Sequence, residues 1–256
     1  GNQWNIALNE PNDFVILQDQ SQVPSFPTDS QYWQDSKDAA IYLNQRVIDS
    51  GGSTILFMTW GYKDGDSSNQ WRNPDYPSMQ LHLQQGYEMY LENITAQSEP
   101  AFIAPVGLAY KHLYDAVADT GVDPSAGSTA FSTLYSGDGS HPSIDGTYLS
   151  ACVFHAVITG ESPVGHSYPG QISPARALEL QEVAAATVFN GTDYLYPFEI
   201  ESPSIEFGPD SGSIFDIDPG VTIGLNFNFT NHAGVGDDAI VDINGPEGWS
   251  IGWSNA

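Results

Sequence analysis

Apolar residues arrive along this chain in two alternating kinds of run. Phe14-Val-Ile-Leu17, Thr54-Ile-Leu-Phe-Met-Thr-Trp60 and Ala101-Phe-Ile-Ala-Pro-Val106 are short and unbroken. Such runs suit strands buried on both faces. Between and after them the apolar positions take helical spacing. Residues 35–50 place Ala39, Ile41, Leu43, Val47 and Ile48 on one side, and residues 78–97 are anchored by Leu81, Tyr87, Leu91 and Ile94. Further helices are expected over 107–119, 143–159 and 174–189. Gly51-Gly52, Gly121 and Gly160 stand where helices should stop, and Ser173-Pro174 supplies an N-cap and a first-turn proline. Strands alternating with helices predict parallel pairing, a three-layer α/β/α domain over residues 1–200.

The pattern changes beyond residue 200. Leu225, Phe227 and Phe229 alternate with Gly224, Asn226 and Asn228, and Gly, Pro and Asp punctuate other short runs. Residues 201–256 are therefore expected to be β-rich, the opening strands of an immunoglobulin-like sandwich, which would need ~100 residues in full.

Charge narrows the partners. The chain carries 32 acidic residues against six Lys and Arg, a formal net charge of −26. That field repels phosphate backbones and anionic membranes, so nucleic acid is not an expected partner. No run approaches the ~20 apolar residues of a membrane span. The single cysteine, Cys152, lies in an apolar stretch and reads as a buried hydrophobe. Asn93-Ile-Thr95, Asn190-Gly-Thr192 and Asn228-Phe-Thr230 fit the glycosylation motif and an extracellular or cell-surface location. Histidines 82, 112, 141, 155, 166 and 232 show no ligand spacing with a third partner, so neither a metal nor another cofactor is expected.

Parallel sheets bind ligands at the carboxyl ends of their strands. Gln18-Asp19-Gln20-Ser21 follow the first strand, Trp60-Gly61-Tyr62 the second, and Gly107 and Tyr110 the third. The loop at 135–142, just before a helix, holds Asp138 and His141. At this spacing a carboxylate can accept the Nδ1 proton of the imidazole and leave Nε2 as a general base. Core or loop packing is the default reading of Trp60 and Trp71, with stacking on sugar rings as the alternative.

Tyr135-Ser-Gly-Asp-Gly-Ser-His-Pro-Ser-Ile-Asp-Gly-Thr-Tyr-Leu-Ser-Ala-Cys152 resembles the final block of the SGNH (GDSL-type) hydrolases. Phe14-Val-Ile-Leu-Gln-Asp-Gln-Ser21, Met58-Thr-Trp-Gly61 and Ala104-Pro-Val-Gly107 are similar to other segments of that family. The resemblance spans residues 1 to 190 and implies a flavodoxin-like sheet of order 2-1-3-4-5. It makes Asp138 and His141 two thirds of a Ser-His-Asp triad. It also puts Gln20 where the family has an oxyanion-donating Asn. Ser21 and Trp60, at the ends of their strands, are further candidates for substrate contact.

The same resemblance implies an absence. The family's Gly-Asp-Ser turn and its oxyanion glycine precede the segment matched at 14–21, leaving no counterpart for the nucleophile. Gly65-Asp66-Ser67 spells the tripeptide but lies in a polar loop after the wrong strand. Two expectations follow. The first is an SGNH ester hydrolase acting on esterified, for instance acetylated, carbohydrate, its serine supplied outside this chain. In it, strand 14–18 is an exposed edge that a second polypeptide or an N-terminal segment pairs with. The alternative is a non-catalytic extracellular binding or surface module that keeps the hydrolase fold.

Overall fold

The computed structural model describes residues 12–98 and 101–198, and everything below concerns those residues. The expected sandwich strands and any segment pairing with strand 14–18 lie outside them. The described chain runs β1 (Phe14–Leu17), α1 (Gln31–Asp49), β2 (Ser53–Phe57), α2 (Tyr76–Thr95), β3 (Phe102–Ala104), α3 (Val106–Ala118), α4 (Ile144–Thr159) and α5 (Pro174–Phe189). Every strand and helix expected between residues 14 and 189 is present.

The three strands are parallel and lie in the order β1-β2-β3. Leu17 pairs with Leu56, and Phe57 with Ala104. β1 is outermost in this sheet, and Ile16 is 45% exposed. Two segments end differently from their apolar runs. α1 starts at Gln31 rather than 35 because the Ser30 hydroxyl accepts from Trp33 N, an N-cap that apolar spacing cannot register. β2 stops at Phe57 rather than Trp60. Met58 still donates to Ala104 O and accepts from Gly107 N, but β3 has already turned at Pro105 into α3.

Alternation along the strands sends side chains to two cores. Leu56 and Ile103 face α1 and α2, packing with Trp33, Tyr87, Tyr90 and Ile94. Ile55 and Ala104 face the other way, into a larger cluster with Tyr110, Leu149, Val153, Leu180 and Ala184 from α3, α4 and α5. Each face of the sheet is thus covered, giving the α/β/α sandwich.

α4 is fixed at its N-terminus from several sides. Ser143 caps it, accepting from Gly146 N while its hydroxyl donates to Thr133 O at 2.6 Å. Arg176, on α5, donates to Asp145 Oδ2 at 2.8 Å and to Ala130 O at 2.7 Å, joining α4 to the preceding turn. Gly146 is a place where only glycine fits. A Cβ there would stand 2.2 Å from the Tyr110 hydroxyl and 2.3 Å from Leu134 O. The absent side chain lets α4 sit close on α3, which sets the height of the loop before it.

Candidate active site

Residues 135–142 form a tight loop closed at its base. Tyr135 and Pro142 make an antiparallel bridge, and Ser136 N donates to His141 O at 2.8 Å. Gly139 turns the tip at φ +71°, a region side chains disfavour. Within this loop the Asp138 carboxylate is fully engaged. Oδ1 accepts from the backbone N–H groups of Ser140 and His141 and from the Ser136 hydroxyl, each at 2.9 Å. Oδ2 lies 2.6 Å from His141 Nδ1. The His141 and Ser140 amides, then the His141 ring, hold the Asp138 carboxyl well below the usual carboxylate range. An ionised carboxylate only accepts, so it fixes the imidazole proton on Nδ1 and leaves Nε2 as the basic atom.

Three contacts tie this loop to the carboxyl end of β2. Trp60 Nε1 donates to Ser140 O at 3.0 Å. Tyr135 donates its hydroxyl to Gly61 O at 2.6 Å. Lys63 N donates to Gly139 O at 2.8 Å. The Trp60 ring lies flat on Tyr110, with centroids 4.7 Å apart and planes 5° from parallel.

Loop and strand ends enclose a cleft of about 420 Å³. Its lining includes His141, Gln18, Ser21, Phe57, Trp60 and Tyr62. The structure thus brings Ser21 and Trp60 to His141, with Asp138 behind the imidazole. It places Gln20 differently. The Gln20 amide donates to Gln22 Oε1 and its oxygen accepts from Gln22 N, so that side chain is folded into its own turn, off the cleft wall. Ser21 Oγ is 3.1 Å from the Tyr62 hydroxyl. Ser140 Oγ lies 3.4 Å from Nδ1, the nitrogen already held by Asp138. Among the described residues no hydroxyl is hydrogen-bonded to His141 Nε2. Asp66 of the Gly-Asp-Ser tripeptide is buried, capping the turn Ser67–Asn69 by accepting from Ser68 N and Asn69 Nδ2. Trp71 is 74% exposed and outside the cleft wall.

Four cleft residues carry no site signal in the sequence: Phe57, Thr59, Thr147 and Ser150. The last two are three apart on α4, one helix face turned toward His141, a spacing that could have been followed from the loop. Histidine spacing along the chain suggests no ligand set, yet the fold brings His155, Glu161 and His166 together, each offering a ligand atom within 4.8 Å of the others. The loop after α4 folds back on the helix, and linear spacing does not register that return.

No family model and no curated protein matches the chain. Solved structures do. A DUF4886 family protein from Bacteroides uniformis is similar with a TM-score of 0.57 and 15% identity, over 74% of this chain and 67% of that one. A protein described as "a putative SGNH hydrolase" from Slackia heliotrinireducens is 22% identical with a TM-score of 0.44, over 59% of this chain and 68% of that one. At these identities the likeness is one of fold. The α/β/α sandwich with its parallel sheet is the one expected.

Proposed function

We propose that this protein is an ester hydrolase of the SGNH class, with His141 as general base and acid and Asp138 as its orienting carboxylate. The observation that carries the reading is the 2.6 Å contact between His141 Nδ1 and Asp138 Oδ2 at the rim of a cleft at the strands' carboxyl ends. His141 Nε2 takes the proton of a serine hydroxyl as its oxygen attacks the ester carbonyl. It then gives that proton to the leaving alkoxide, and water repeats the cycle on the acyl-enzyme. Asp138 stabilises the imidazolium in both halves. The serine comes from outside the described residues, joining the site alongside β1. That is also the sheet edge at which a further strand would pair.

The cleft suits a hydroxylated substrate. Ser21, Thr59, Tyr62, Thr147 and Ser150 line it with hydroxyls, and Phe57 and Trp60 add aromatic surface. Esterified carbohydrate, met outside the cell, fits that mixture of apolar walls and convergent polar groups. In the natural full-length protein, His141→Ala should lower hydrolysis of p-nitrophenyl acetate by about a thousandfold or more. Equal rates in the two proteins would remove the enzyme reading. A full-length protein inert on esters would leave a carbohydrate-binding module built on the same cleft.

A further inference from the structure

We propose that His155, Glu161 and His166 form a binding site for a divalent transition metal, Zn²⁺ by its chemistry. The site lies at the opposite end of α4 from His141. His155 is in the last turns of that helix, while Glu161 and His166 belong to the loop that leaves it. One imidazole nitrogen from each histidine and a carboxylate oxygen from Glu161 lie within 4.8 Å of one another. The two imidazole rings are in contact, with centroids 4.5 Å apart.

A second observation points to a ligand. His155 Nε2 is sealed from solvent and has no hydrogen-bond partner. Buried polar nitrogens are nearly always paired, and a metal ion on this nitrogen would pair it.

The loop is held for the purpose by a buried side chain. Gln181, on α5, accepts from Gly165 N at 2.9 Å and donates to His166 O at 2.9 Å. Its amide also donates to the Tyr148 hydroxyl at 2.7 Å, which binds Ser167 O in turn. The backbone on both sides of the His166 side chain is thereby anchored to two helices. Glu161 N donates to the Thr159 hydroxyl, which donates to His155 O, linking the other two ligands.

Two nitrogens and one carboxylate oxygen make a donor set suited to Zn²⁺, with a fourth position left for water. Ligand bonds of about 2.0–2.1 Å put tetrahedral donors about 3.4 Å apart, so the cluster must contract by up to about 1.4 Å. Glu161 and His166 are exposed, and their side-chain torsions can supply that closure. The net charge of −26 concentrates cations around the molecule. Bound there, the ion clasps the connection between α4 and α5.

The test uses the whole chain, stripped with a chelator and titrated with Co²⁺ as a spectroscopic stand-in. One ion per chain should bind with the intense visible bands of tetrahedral cobalt, and Zn²⁺ should displace it. His166→Ala and Glu161→Gln should each weaken binding by at least about tenfold. Both should melt as the metal-free wild type does, because these side chains are exposed. The proposal is overturned if no saturable binding occurs, if only the pale bands of oxygen-ligated cobalt appear, or if the two variants bind as the wild type does.

Discussion

α4 carries a histidine site at each end, and the two are built in opposite ways. At its N-terminus, Asp138 is saturated with donors, four of them from a loop eight residues long, and His141 stands at the rim with its side chain 80% exposed. At its C-terminus the buried His155 Nε2 has no hydrogen-bond partner, and the three side chains come from a helix and a returning loop. The first arrangement fixes the tautomer and direction of one imidazole, which proton transfer needs. The second brings two imidazoles and a carboxylate together, the donor types that Zn²⁺ takes. The two ends thus differ in whether a carboxylate is locked onto the imidazole as its counter-charge or stands beside it as a further donor.

The sharpest way to break this contrast is to remove the counter-charge. Asp138→Asn keeps the size of the side chain but offers an amide in place of a carboxylate. The Nδ1 proton is then no longer dictated, and ester hydrolysis should fall by about a hundredfold or more. The same variant carries a pH signature. Asp138 has a lowered pKa in the folded chain, so its contribution is fully present above the ordinary Asp value of about 3.9 and is lost as pH falls. Melting temperatures of wild type and Asp138→Asn should therefore converge as pH drops from about 5 towards about 2. A constant difference between them would show that the carboxylate does nothing for the loop.

The next effect tests how α4 is seated. Gly146→Ala would drive a methyl group into the Tyr110 hydroxyl and Leu134 O, both rigidly placed. Overpacking of this kind costs about 1–3 kcal/mol. Urea unfolding should show a loss near 2 kcal/mol, with the loop at 135–142 displaced as well. An unchanged midpoint would mean that α4 can ride outward, and that its height is not set by this contact.

Gln181→Met is smaller and separates the two ends cleanly. The thioether fills similar space but cannot hold Gly165 N or His166 O. Metal affinity should fall about tenfold, as it does when outer-shell partners are lost, with ester hydrolysis unaffected. Equal losses at both ends would mean that α4 transmits the change and the sites are not independent.

The two ends also differ in how far their residues declare them. Asp138 and His141 are three apart before a helix start, so their pairing is local and could be read from the chain. The strand and helix order was equally open, because unbroken apolar runs and glycine stops are local signals. Gln20 was misplaced since a two-residue turn to Gln22 satisfies its amide more cheaply than reaching into the cleft. The His155 cluster was invisible for a stronger reason. It depends on a loop whose path is set by Gln181, 15 residues beyond His166. No spacing rule spans that distance.

Trp60→Phe gives the mildest perturbation and asks how much of the loop's order a single cross-link supplies. Phe keeps the stack on Tyr110 but loses the indole donor, leaving Ser140 O without its partner. Ser140 is close to the surface, so water can replace the bond in part, and the loss should be about 1 kcal/mol. Lys63 N to Gly139 O and Tyr135 to Gly61 O still anchor the loop. Ester turnover should therefore fall only about threefold to fivefold, less than the effect of losing Asp138. A drop as large as that of Asp138→Asn would relocate the indole from the scaffold to the substrate. Trp60 would then be a contact for the bound ester, and KM rather than kcat should carry most of the change.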